Sequence, residues 1–287
     1  MPFNAVKMMA PVVVTSNIKF AMTVNYKDIY YTLRFASAMC FIGHGLFGII
    51  GKKIWLNYFA VFGIGPIAGT HLMPVVGTMD ILAGLSLVFY PIRAVAGWLV
   101  IWGILTALCR PLSGEPFAEF IERAGNYGAP LALLILCQLD INQPSKWFSK
   151  IQLPANSMEI TIPEFLLCVR ITGFLLLAGH GWLNLIEKQS LTSQYASFGF
   201  FRPDKVALLV GLSEILFAFI IFIKPQRSLV LTFFIWKMIS ELFYPHWRLF
   251  EWIERGGSYG VLLALYLAMS KDSLNKSEKK IFITSRF

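Results

Sequence analysis

Charge is scarce in this chain. Of 287 residues only 14% are Asp, Glu, Lys or Arg, against 56% hydrophobic, and the mean hydropathy is +0.64. Soluble domains carry about 25% charged residues, so a water-exposed globule of this size is excluded and immersion in lipid is implied. Cysteine is sparse too. Cys40, Cys109, Cys137 and Cys168 form no C-x-x-C and fall singly within apolar runs. Zinc, iron–sulfur and dithiol-redox chemistry need closer ligand spacing, so no metal site is expected and these thiols read as packing residues. The net charge of +9 comes from basic residues scattered among short loops, with no aromatic stacking platform beside them. Nucleic acid is therefore not an expected partner. The apolar stretch Ala10 to Val14 is interrupted by Thr, Ser, Asn and Lys19 and lacks a small-residue cleavage site, so a removable signal peptide is not expected.

What the chain does have is repetition. Arg34 to Lys52 reads RFASAMCFIGHGLFGIIGK and Arg170 to Lys188 reads RITGFLLLAGHGWLNLIEK. Downstream, Phe62-Gly63 recurs as Phe198-Gly199, Asp80 as Glu214, Trp102 as Trp236, and IERAGNYG from Ile121 as IERGGSYG from Ile253. A tandem duplication with small gaps in its loops accounts for this pattern.

Crossing a hydrocarbon layer of roughly 30 Å takes about 20 apolar residues in a helix. Each copy offers four such runs, at 30–51, 67–90, 92–110 and 125–140, then at 164–186, 204–223, 226–244 and 257–270. The expected fold is all-α and integral to the membrane, with eight transmembrane helices arranged as two parallel four-helix repeats with interfacial helices. An even number of spans per copy relates the copies by an axis along the membrane normal. The expected organisation is an N-terminal segment 1–29, a first repeat 30–140, a linker 141–163, a second repeat 164–270 and a basic tail 271–287. Lys and Arg are more frequent on the side of the termini, where they include Lys27, Arg93, Lys146, Lys150, Lys224 and Arg227. The positive-inside rule then puts both termini in the cytoplasm.

Chemistry, if the chain performs any, should lie in the duplicated ionisable positions. Asp80 and Glu214 fall mid-span, where a lipid-facing carboxylate costs about 2.5–3.5 kcal/mol on insertion scales, so each should face its bundle with a partner. His44 and His180 lie at a similar depth and are the natural partners; these four form the candidate catalytic set. The glycines flanking each histidine permit close approach of a neighbouring helix or a flat ligand. Arg34 and Arg170, one turn inside the first span, either snorkel to headgroups or pair with the acids. Gly114 to Arg123 and Trp247 to Arg255 are amphipathic and resemble interfacial helices. Their Glu122-Arg123 and Glu254-Arg255 either form a solvated edge or cap a cavity. Arg34, Arg170, Trp102, Trp236, Glu122 and Glu254 make up the candidate cofactor-binding set.

An arginine early in a first span, a His-Gly near its outer end, four spans per unit and a glycine-rich fourth span after an acidic amphipathic stretch resemble the DoxX/DoxD-like membrane proteins, here fused in tandem over 30–140 and 164–270. The resemblance implies a redox-associated membrane subunit contacting quinone in a bacterial-type plasma membrane, beside lipid and other membrane or redox subunits. DoxD-type members serve thiosulfate:quinone oxidoreductases, and no DoxA-like soluble portion is visible here. Two further readings stand beside it. One is a non-catalytic accessory or assembly subunit of a larger respiratory complex. The other is a b-type cytochrome in which His44 and His180 ligate one haem iron.

Overall fold

The computed structural model describes residues 25–138, 144–154, 162–242 and 248–269. Residues 1–24, 139–143, 155–161, 243–247 and 270–287 lie outside the described residues, and so do the expectations that fall on them. Among the described residues the chain is helical and has no strand, apart from an isolated bridge between Ile92 and Lys150. The first half contains α1 (Tyr26–Ile49), α2 (Trp55–Val61), α3 (Pro66–Phe89), α4 (Arg93–Leu112), α5 (Ala118–Glu122) and α6 (Ala124–Leu136). After a 3-10 turn at Pro144–Phe148 come α7 (Ile162–Leu185), α8 (Gln189–Ser197), α9 (Pro203–Ile223), α10 (Arg227–Leu242), α11 (Arg248–Glu254) and α12 (Gly256–Ala268).

Five of these helices, α1, α3, α4, α7 and α9, are long and apolar enough to cross a membrane, the pattern of a multi-pass membrane protein. Large apolar side chains such as Ile67, Leu82, Phe89, Leu209 and Leu216 stand exposed along α3 and α9, where lipid would meet them. At 16 residues α10 is shorter, and α6 and α12 have 13 each. Thirteen residues rise only about 20 Å, yet most residues of α6 and α12 are buried. Helices enclosed by protein need not match the lipid thickness, because neighbouring protein rather than lipid surrounds their ends.

Local sequence sets the boundaries. Asn25 caps α1 by accepting from the Lys27 amide at 3.2 Å. Pro66 and Pro203 open α3 and α9 at the first helical positions, where a missing N–H removes no helical bond. Gly63 and Gly199 follow α2 and α8 with φ of +73° and +85°, a left-handed turn that side chains with a Cβ disfavour.

Arg34 and Arg170 do not pair with the mid-span acids but bind backbone carbonyls. Arg34 Nε donates to the Leu87 carbonyl at 2.5 Å and Nη2 to that of Val88. Arg170 donates to Phe222 O, and to Ile223 O at 2.8 Å. Each guanidinium thus satisfies the orphan carbonyls that end the adjacent helix, α3 or α9, and sits at the negative end of its dipole. The mid-span acids are not its partners.

Within each half the first helix packs on the third along a glycine seam. An added Cβ on Gly45 or Gly48 would collide with α3 around Gly77, and one on Gly181 with Gly211 of α9. The short buried helices do the opposite and pack across. Gly128 of α6 lies against Thr172 of α7, and Gly260 of α12 against Ala36 of α1. Gly125 of α6 abuts Ser258 of α12, and Gly257 abuts Gly125 in return. The main apolar core runs without a break through α1, α6, α7 and α12.

Candidate functional site

Two imidazole–carboxylate pairs occupy the interior. His44 Nδ1 lies 2.7 Å from Asp80 Oδ2, and His180 Nδ1 lies 2.6 Å from Glu214 Oε2. Asp80 is 0% and Glu214 1% exposed, so both acids face the bundle rather than lipid. The glycine seams bring α1 onto α3 and α7 onto α9, which sets histidine and acid at one depth. Trp102 Nε1 donates to the second oxygen of Asp80 at 2.7 Å. Its counterpart Trp236 reaches Glu214 without completing a hydrogen bond. Asn184 compensates from the helix itself, donating to Glu214 Oε2 at 3.3 Å and to the His180 carbonyl at 3.1 Å. Tyr195 Oη donates in turn to Asn184 Oδ1 at 2.8 Å. Gly48 and Phe59 occupy the matching positions of the first half, so this chain of polar groups belongs to the second half alone.

Each histidine lines its own cavity. The first, beside His44, has a volume of about 70 Å³ and is bounded by Trp55, Tyr58, Trp102, Arg110, Arg123 and Glu254 among others. The second, beside His180, has a volume of about 460 Å³ and is bounded by Tyr195, Phe198, Trp236 and Glu241 among others. A single water fills one probe sphere of about 10–15 Å³, and small-molecule pockets run from about 300 Å³ upward. The first cavity therefore has room for a few waters and the second for an organic ring.

Above the histidines, the short helices α5 and α11 carry acids that the amphipathic pattern assigned to an interfacial helix. They are buried, because their polar faces meet cations of the opposite half. Arg123 Nη1 donates to Glu254 Oε1 at 3.0 Å, and Arg255 Nη1 pairs with Glu122 Oε1. Lys52 Nζ binds Glu251 Oε1 at 2.7 Å, and Lys188 pairs with Glu119. These pairings are reciprocal: a group in one half binds the counterpart of its neighbour's acid in the other. Gly43 lies directly against the Glu254 backbone and Gly179 against that of Glu122. The space that Gly43 and Gly179 leave is thus filled by the backbone of the opposite half.

No protein-family model, curated protein sequence or solved structure matches this chain.

The exchanged pairs set the charge state of these acids. Burial pushes Glu119 up, but Arg110 at 3.2 Å and Lys188 overcome it and hold the carboxyl down to about 2. Glu254 is likewise opposed by burial and held at about 2 by Arg123 and Lys52. Glu251 goes the other way, raised first by burial and then by the neighbouring Glu254 charge, with Lys52 only partly offsetting them.

The structure brings His44 to Asp80 and Trp102, and His180 to Glu214, while Glu254 joins the first cavity and Glu122 lies against Gly179. It places Arg34 and Arg170 at helix ends instead. Sequence reasoning missed the Asn184–Tyr195 chain and the buried pair of Lys237 with Glu241, whose atoms lie 3.0 Å apart. It also missed Glu119 and Glu251 as pairing groups. The recurrence of Lys52 as Lys188 was a usable signal for cations in need of duplicated acids. Among the described residues no group of His, Cys, Asp and Glu is arranged to hold a metal ion.

Proposed function

We propose that the chain is a two-half membrane protein of eight spans, similar to DoxX/DoxD-like proteins, that binds a quinone-type ring beside His180. In this reading both termini face the cytoplasm of a bacterial-type cell, and the protein works with other redox subunits of the plasma membrane. One observation carries the proposal: a buried imidazole–carboxylate pair that opens on a largely apolar, aromatic-walled cavity of about 460 Å³. A quinone supplies two-electron, two-proton chemistry at ring oxygens. His180 hydrogen-bonds one such oxygen, Glu214 fixes the imidazole and takes or returns its proton, and Trp236 and Phe198 form walls for a flat ring. His44 serves the first half as a structural counterpart, because its cavity of about 70 Å³ is too small for a ring.

The accessory-subunit reading has its own support. Glu122, Glu254, Arg34 and Arg170 are all committed to internal contacts, as a helix-holding scaffold requires. Paired haem ligation gains no such support, since the two histidines line separate cavities and each Nδ1 already faces a carboxylate. The deciding test is titration of purified protein with duroquinone, read by tryptophan fluorescence. Saturable binding, weakened about tenfold or more by His180→Ala and unchanged by His44→Ala, supports the quinone reading. Absence of saturable binding overturns it and leaves the scaffold.

A further inference from the structure

The two cavities differ in what lines them. The second is walled largely by apolar and aromatic side chains such as Phe198, Phe200, Val210 and Ile239, whereas the first is bordered by the charged groups of Arg110, Arg123 and Glu254. An enclosed apolar space stays dry, but a polar one of sufficient size takes up water. At about 70 Å³ the first cavity holds a short chain of roughly five waters, each needing about two to four polar partners.

Those partners are at hand. Arg123 Nε and Glu254 Oε2 are buried and have no hydrogen-bond partner among the described residues, although Nη1 and Oε1 of the same two side chains are joined at 3.0 Å. Orphaned polar atoms in a native interior call for an explanation, and ordered water is a common one. The Asn126 amide adds donors and an acceptor to the wall, and Thr106 Oγ1, which donates to the Trp102 carbonyl at 3.0 Å, keeps acceptor capacity. His44 stands at the inner end. Its Nδ1 lies 2.7 Å from Asp80, and its Nε2 has no hydrogen-bond partner among the described residues.

The other end lies near the surface. Tyr58 and Arg110, which both line the cavity, donate to Glu115, from Oη to Oε1 at 2.5 Å and from Nη1 to Oε2 at 3.0 Å. The Glu115 side chain is 22% exposed, whereas that of Asp80 is 0% exposed. The cavity therefore runs between a carboxylate that reaches the surface and an imidazole–carboxylate pair that does not. We infer that it is a water-filled proton inlet, joining the His44–Asp80 pair to the aqueous face on which Glu115 lies. A proton from bulk water passes along the hydrogen-bonded waters and is taken up by the His44 imidazole, the Asp80 carboxylate balances the resulting imidazolium, and the same route returns the proton. The charges that face His44 are those of Asp80 from α3, Arg110 from α4, Arg123 between α5 and α6 and Glu254 from α11. The two acids offset the two guanidinium groups, which alone would repel a proton. The inference is independent of ring binding at His180.

The test uses the full chain in lipid nanodiscs. A brief X-ray pulse turns internal water into hydroxyl radicals, and mass spectrometry locates the side chains they oxidise. Cys109, on the cavity wall at 7% exposure, should be oxidised, whereas Cys40 and Cys137, 1% and 2% exposed within the apolar core, should be spared. In ring-nitrogen NMR of histidine-labelled protein, polarisation from water should reach the His44 nitrogens, identified by their loss in His44→Gln. Ala107→Leu, which enlarges a side chain on the cavity wall, should abolish both signals, and Val76→Phe on the α3 side replaces it if the first variant fails to fold. If neither folds, the unmodified protein decides alone. Sparing of Cys109 means a dry cavity and overturns the inference. Oxidation of Cys109 without transfer from water to His44, or transfer that survives filling of the cavity, puts the water off the proposed route and overturns it as well.

Discussion

The reciprocal ion pairs make a quantitative demand on stability. Consider Arg123→Met, which removes the guanidinium 3.0 Å from Glu254 and leaves a carboxylate that is only 2% exposed. Lys52 is the next strongest cation acting on it, and its own hydrogen bond goes to Glu251. Breaking a buried pair from one side costs about 3–5 kcal/mol, whereas replacing both partners with apolar side chains is often neutral. Glu254→Met should cost a similar amount, because Arg123 is 6% exposed and would then lack its main acid. Independent effects would sum to about 6–10 kcal/mol in the double variant. The exchanged pair predicts instead that Arg123→Met with Glu254→Met lies within about 2 kcal/mol of the parent, a coupling of several kcal/mol. Chemical unfolding in mixed micelles, followed by tryptophan fluorescence, measures all four corners of the cycle. Combining Arg123→Met with Glu122→Met, its neighbour in sequence, is the control and should bring no rescue. Additive behaviour for Arg123 with Glu254, or rescue by Glu122→Met, would refute the exchange of partners between halves.

Two further predictions come from the same region. Gly43→Ala should destabilise by about 2 kcal/mol or more, since its Cβ has no room beside the Glu254 backbone, while Gly65→Ala, which faces open space, should stay within about 0.5 kcal/mol; equal thermal stabilities for the two variants would mean that α1 and α11 are not in contact. For pH, Glu119 has its carboxyl lowered from 4.5 to about 2, so its contribution of about 3 kcal/mol is present above about pH 4.5 and is lost as pH falls towards 2. Glu251, raised, has the reverse sign and favours the folded state most at low pH, losing that advantage as pH rises through its folded value. Acid unfolding of Glu119→Gln should accordingly be flatter than that of the parent between about pH 4.5 and 2, and an unchanged slope would remove Glu119 from the charged network.

Much of this arrangement was legible in the sequence. Apolar runs between prolines and charges located the long helices to within a few residues, because burial in lipid or protein leaves little freedom in composition. The depth of Asp80 and Glu214 pointed to His44 and His180, because an acid in mid-span needs a partner and few candidates share its level. Two things were hidden. An amphipathic stretch such as Gly114 to Arg123 announces a polar face but not what that face meets. Here it meets cations, not water. Duplication also conceals which copy a group pairs with, since Arg123 sees the same acid in Glu122's counterpart that a pairing within one half would supply. The carbonyl contacts of Arg34 and Arg170 were not foreseen for a third reason: helix-end carbonyls are invisible in a sequence, though they are strong acceptors.

The exchange of partners also has a bearing on how the chain is made. Arg123 and Glu254 are 131 residues apart, and ribosomes add roughly 5–20 residues per second. On the order of ten seconds therefore separates the synthesis of the cation from that of its acid. Throughout that interval the first half sits at the membrane with Lys52 and Arg123 lacking the carboxylates that will neutralise them, and with Glu119 and Glu122 waiting for Lys188 and Arg255. Charges of this kind do not settle into hydrocarbon alone. The nascent first half must keep that end hydrated, or shielded by the insertion machinery, until α11 arrives. Its burial is then a late event in assembly, and an interruption of synthesis between the halves would leave an open, charged end exposed to quality control.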